Sequence, residues 1–212
     1  SILFCQLLVT FGMVAIFTLV DSIGLFVRQN PGLLWLAIIL SFVFLITLVC
    51  CSSVARTYPT NYIVLSLFTL CEGYLLGAVS STYETNTVFY SVLMTLSVTL
   101  GLMLFAQQTK YDFTGYGGYM LAILIVFIVF GLIAPFFCSS QSSCSILSLI
   151  YSLIGALIFS MYIVYDTQLI LGGKHKYQFD INDHVFAALS LYLDIINLFL
   201  FILSMFGGSD RR

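Results

Sequence analysis

The chain has 212 residues, 61% hydrophobic and only 8% charged, with a formal net charge of −2 and a mean hydropathy of +1.10. A soluble domain carries about 45–50% apolar and about 25% charged residues, so a water-soluble fold, a disordered chain and a nucleic-acid-binding surface are excluded. Residues 113–165 contain no Asp, Glu, Lys or Arg at all, a pattern that belongs to a polytopic membrane protein.

A helix needs about 20 apolar residues to cross about 30 Å of hydrocarbon. Apolar runs fall at 2–20, 33–51, 61–80, 87–106, 116–137, 145–171 and 185–206. All are too long for barrel strands and none alternates strictly, so they predict an all-α fold of seven transmembrane helices. Seven spans use about 140 residues and leave roughly ten for each connection. Residues 1–212 are therefore read as a single transmembrane domain.

The first run opens on Ser1 rather than Met, without the basic residues that precede a signal peptide's apolar core. The sequence is expected to begin inside a longer protein. Cys5 in this run and Cys71 in the third are read as small buried hydrophobes. Asn30-Pro31-Gly32 separates the first two runs. At the end of the second, Cys50 and Cys51 are read as packed, with acylation as the alternative. Gly73 and Gly77 form a small-xxx-small pair that lets the third helix approach a neighbour. Cys138 and Cys144 share a short polar loop and would form a disulfide if that loop faced an oxidising lumen. Loop 172–184 carries His175 and His184 among Lys174, Lys176, Asp180 and Asp183. A solvated loop is the plain reading and pH sensing the sharper one; two histidines nine apart without a cysteine do not support a zinc site.

Seven spans put loops 52–60, 107–115 and 172–184 on the amino-terminal side, with Arg56, Lys110, Lys174 and Lys176. The opposite side holds Arg28, Arg211 and Arg212. The balance places the N-terminus in the cytosol.

Three charges fall deep inside spans, and all are acidic: Glu72, Asp166 and Asp194. Each would cost about 2.5–3.5 kcal/mol at a helix centre facing lipid, so each is expected to face protein or a water-filled cavity. Asp166 shares a helical face with Ser148, Ser152 and Gly155, and Asp194 with Ala187, Ser190 and Asn197. Measured from the loop that joins their helices, Asp166 lies about 8–9 Å deep and Asp194 about 15 Å. Helices joined by a short loop run antiparallel, so the two carboxyls are expected to lie close together. Like charges in contact do not both ionise cheaply, and such a pair shares a proton. Carboxyl oxygens also suit a hard cation such as Ca²⁺. Arg56 offers a latch on one carboxylate, and Glu72, about 18 Å into its span, a further point on an ion path. The plain alternative is neutral acids hydrogen-bonded to Ser, Tyr or backbone.

Met161-Tyr-Ile-Val-Tyr-Asp-Thr-Gln-Leu-Ile-Leu-Gly172 and Leu191-Tyr-Leu-Asp-Ile-Ile-Asn-Leu-Phe199 resemble motifs of the transmembrane Bax inhibitor motif family. Gln107-Gln-Thr-Lys-Tyr-Asp-Phe-Thr114 and Arg56-Thr-Tyr-Pro-Thr-Asn61 resemble its lifeguard subgroup. The resemblance implies seven helices with the last one central. It implies a pH-sensitive calcium leak channel of internal membranes (endoplasmic reticulum, Golgi or lysosome) that suppresses apoptosis. Asp166 and Asp194 would be its pH sensor and ion gate, and Ca²⁺ the bound or transported ion, with no other cofactor. Expected partners are the bilayer, apoptosis regulators or calcium-release channels, and no nucleic acid. The cytosolic N-terminal segment usual in the subgroup is absent from this sequence.

Two other classes compete. One is a non-conducting regulator of cell death with the same fold. The other is an intramembrane aspartyl protease, for which Tyr165-Asp166 fits. Leu191-Tyr192-Leu193-Asp194 lacks both glycines of the partner motif, however, and no Pro-Ala-Leu follows. An enzyme is therefore not expected.

Overall fold

The computed structural model of the chain describes residues 2–137, 141–172, 176–180 and 183–207. Its helices are α1 (Ile2–Leu19), α2 (Asp21–Gln29), α3 (Pro31–Cys50), α4 (Ser52–Arg56), α5 (Thr60–Ser80), α6 (Thr85–Gln108), α7 (Gly117–Ile133), α8 (Gln141–Leu171) and α9 (His184–Phe206). Among the described residues there is no β-strand, and seven helices are long and apolar enough to cross a membrane: α1, α3 and α5 to α9. The expected all-α, seven-span fold is the one formed. Its last helix is the buried one. In α9, 67% of the span is buried, against 11% to 44% in the others.

Two short helices were not visible in the apolar runs. Helix α2 carries Asp21 in its first turn and Arg28 in its last, charges that complement the helix dipole. Asn30 then donates its side-chain amide to the Phe26 carbonyl at 2.7 Å, and Pro31 starts α3 at a position where no N–H is needed. Hydroxyls inside the spans bond their own helix. Thr18, Thr47, Ser66, Thr69, Thr95 and Thr167 each donate to the carbonyl four residues earlier. No polar group of theirs is then left unpaired in hydrocarbon.

Packing divides the chain into two units, residues 1–89 with 180–192, and residues 90–179 with 193–209. In the first, α1 lies against α5 along the two glycines. A Cβ on Gly73 would meet Met13 at 2.8 Å, and one on Gly77 would meet the Phe17 ring at 2.7 Å. Tyr192 of α9 closes this core. Its hydroxyl is 2.7 Å from Thr10 Oγ1, and its ring meets Phe68 edge-on.

In the second unit, Phe127, Tyr151, Phe159 and Phe201 stack around Gly155, where a Cβ would meet Phe201 at 2.7 Å. Ser152 is buried and donates to Ser204 of α9 at 3.1 Å. Ser148, placed on this face from the sequence, is exposed; the small-residue contact begins a turn later.

The cysteines also correct the sequence reading. Cys5, Cys50 and Cys51 are exposed free thiols, and Cys71 is free and half-buried. An apolar thiol on a bilayer-facing helix costs little, so its hydrophobicity does not fix burial. Cys144 is disulfide-bonded; Cys138 lies outside the described residues, as do Lys174, His175, Arg211 and Arg212.

Enlarging Gly77 to Leu forces overpacking against Phe17, which costs about 1–3 kcal/mol. The expected fall in melting temperature in detergent is roughly 3–10 °C. Gly12 has nothing within 4 Å of a built Cβ. Gly12→Ala should leave the melting temperature unchanged or raise it, because alanine favours the helix.

Candidate functional site

The site is built from α8 and the second half of α9. Asp166 and Asp194 are 7% and 5% exposed, and their carboxyl groups are hydrogen-bonded to each other. The sequence places them about 6 Å apart in depth, and helix geometry closes the gap. Every Cα–Cβ bond leans toward its helix N-terminus. In an antiparallel pair the two side chains consequently lean toward each other along the membrane normal.

Oδ2 of Asp194 is buried, and no N–H or hydroxyl donor reaches it. A buried acceptor left unpaired costs about 1–3 kcal/mol. Tyr162, one turn before Asp166, lies within electrostatic reach of both carboxyls. Their neighbours along the two helices, Ile163, Val164, Ile195, Ile196 and Leu198, are all buried.

The loop end of α8 is held by a polar knot that joins two of the strings carrying the family resemblance. Gln168 is fully buried. Its Oε1 accepts from the Phe113 amide at 2.8 Å, and its Nε2 donates to the Tyr111 carbonyl at 2.9 Å. Asp112 accepts from the Thr114 amide and hydroxyl through Oδ1, and from the Lys176 amide through Oδ2. Gly172 ends α8 with a φ of 58°, the left-handed conformation that suits a glycine cap. Beyond the family resemblance of the two strings, the hint in the sequence was polarity. Gln107–Thr114 and the Asp-Thr-Gln at 166–168 are polar strings beside apolar runs, and polarity alone does not say which group meets which.

Of the other expected site residues, each has a partner of its own. Arg56 donates two hydrogen bonds to Asp183, at 2.8 and 3.1 Å, with side-chain exposures of 52% and 23%. The hydrogen bond and charge of Asp183 hold the guanidinium above its ordinary pKa, so it stays charged at physiological pH. Beside this pair, the His184 Nε2 lies 3.1 Å from the Tyr62 hydroxyl; His184 starts α9 and is not part of a free loop. Glu72 is half-buried and accepts from the Ser41 hydroxyl of α3.

No group of three His, Cys, Asp or Glu side chains that could hold a metal ion occurs among the described residues. Calcium takes 6–8 oxygen ligands.

The family described as inhibitor of apoptosis-promoting Bax1 matches residues 1–211. Protein lifeguard 3 of Homo sapiens is 35% identical over 212 residues, covering 100% of this chain and 67% of the relative. Protein lifeguard 3 of Mus musculus is 34% identical over 205 residues, covering 97% and 66%. Protein lifeguard 4 of Mus musculus is 32% identical over 214 residues, covering 100% and 84%. The chain thus spans about two thirds of the length of the lifeguard 3 proteins.

Gln168→Leu keeps the apolar volume and removes both hydrogen bonds to the 111–113 backbone. Each group left unpaired costs about 1–3 kcal/mol, and each 1.4 kcal/mol is tenfold in an opening equilibrium. Amide hydrogen exchange across residues 109–114 is expected to speed up by roughly tenfold or more. Exchange equal to wild type would show that the glutamine does not hold this loop.

Proposed function

This chain belongs to the Bax inhibitor motif family of membrane proteins, and from that premise we propose that it is a pH-sensitive calcium leak channel of an internal membrane, acting to restrain apoptosis. The observation that carries the reading is the buried hydrogen-bonded pair Asp166 and Asp194, with one carboxylate oxygen unpartnered. Two carboxyls that share a proton change charge by one unit when that proton leaves. The same oxygens are the hard ligands a divalent cation requires. Proton loss and cation entry then act on one small set of atoms, and pH sets the leak.

Glu72 supplies a second acidic point along the path, held by Ser41. Arg56, read from the sequence as a latch on one carboxylate of the pair, holds Asp183 beside the start of α9. The N-terminus lies in the cytosol. Arg56, Lys110 and Lys176 then sit on the cytosolic side. The disulfide-bonded Cys144, at the far end of α8, faces the oxidising lumen. No catalytic step is assigned to the pair, because α9 lacks the glycines that flank a protease aspartate.

The test is calcium flux into dye-loaded liposomes carrying wild type or Asp194→Asn. Asparagine keeps the shape and removes the titrating proton. Wild type is expected to conduct, with flux that changes severalfold between mildly acidic and mildly alkaline pH. Asp194→Asn is expected to lose that pH dependence. Equal, pH-independent flux from both proteins would overturn the reading and favour a non-conducting regulator.

A further inference from the structure

We propose that Cys50 and Cys51 are a site of reversible S-acylation by a long-chain fatty acid. Both thiols are free and exposed. Cys50 is the last residue of α3, and Cys51 is the single residue between α3 and α4. This is the boundary where a membrane span meets water, and an acyl chain on sulfur there lies alongside the neighbouring lipid. Cys5, also exposed, lies inside α1 beside the exposed Phe4 and Leu8 and is not paired with a second cysteine in sequence.

The side of the membrane matters, and this part of the argument rests on the cytosolic N-terminus proposed above. Two spans separate the chain's start from Cys51, α1 and α3, so Cys51 returns to the starting side. Basic residues and free thiols mark that side. A disulfide marks the beginning of α8, on the other. Reduced cysteines on one face and an oxidised one on the opposite face match a cytosol and a lumen.

The reaction balances without a redox step. The Cys sulfur attacks the thioester carbonyl of a long-chain acyl-coenzyme A. A new sulfur–acyl bond forms, the bond between the acyl carbon and the coenzyme sulfur breaks, and the cysteine proton ends on the departing coenzyme thiol. Hydrolysis of the thioester restores the free cysteine. The chain would anchor α4 at the bilayer surface. Arg56, the last residue of α4, holds Asp183 next to the start of α9. Acylation is thus placed to steady that ion pair.

The experiment expresses the full chain in cells fed an alkynyl palmitate, followed by dye coupling and treatment with hydroxylamine, which cleaves thioesters. Wild type is expected to carry hydroxylamine-sensitive label. Cys50→Ser/Cys51→Ser should fall to background at equal protein level in the membrane, while Cys5→Ser and Cys71→Ser keep their label. After hydroxylamine, a membrane-impermeant maleimide applied to cells with only the plasma membrane opened should react with Cys50 and Cys51. An unlabelled wild type whose thiols react from the cytosol overturns acylation alone, as does undiminished label in the double variant. Thiols shielded from that reagent overturn the orientation, and the proposal with it.

Discussion

Two carboxyl groups joined by a hydrogen bond inside an apolar wall constrain everything that packs around them. A charge exposed to lipid costs several kcal/mol, so α8 and α9 must turn Asp166 and Asp194 toward protein. The last helix, which carries Asp194, is the most buried span. The surface of α8 that meets its second half is built from Ser152 and Gly155, where Phe201 reaches almost to the backbone. The antiparallel lean of the two side chains supplies the final approach.

Supports at the loop end keep the pair in register. Gln168 lies only two residues beyond Asp166 and is tied to the backbone at 111 and 113, so the loop after α6 helps fix where α8 ends. In the other unit, the Arg56–Asp183 pair and the Tyr62–His184 contact brace the first turn of α9. An exposed ion pair contributes little to stability by itself. Its value here is positional, since it ties the end of α4 to the start of α9.

Much of this was legible in the sequence, for definite reasons. Seven apolar runs give seven spans because the hydrocarbon thickness imposes their length. Asp166 and Asp194 stood out because charge inside a span is costly and therefore rare. Gly73 and Gly77 foretold a close helix approach, and α1 makes it. Helices α2 and α4 were missed because apolar length, the signal that finds spans, does not register a short helix at a membrane surface. Cys5 was misread because in a bilayer an apolar side chain gains as much from lipid as from protein. The Gln168–Asp112 knot was hidden because hydrogen-bond partners more than fifty residues apart leave no periodic trace.

In the proposed channel, Asp166 and Asp194 share one proton which a cation displaces. Infrared difference spectroscopy of the membrane-embedded protein tests it directly, since a protonated carboxyl and a carboxylate absorb at separate frequencies. At neutral pH the account predicts one protonated-carboxyl band that shifts or vanishes in Asp166→Asn and fades as calcium is added. A spectrum with both carboxyls ionised, or a band indifferent to calcium and to that substitution, would contradict it.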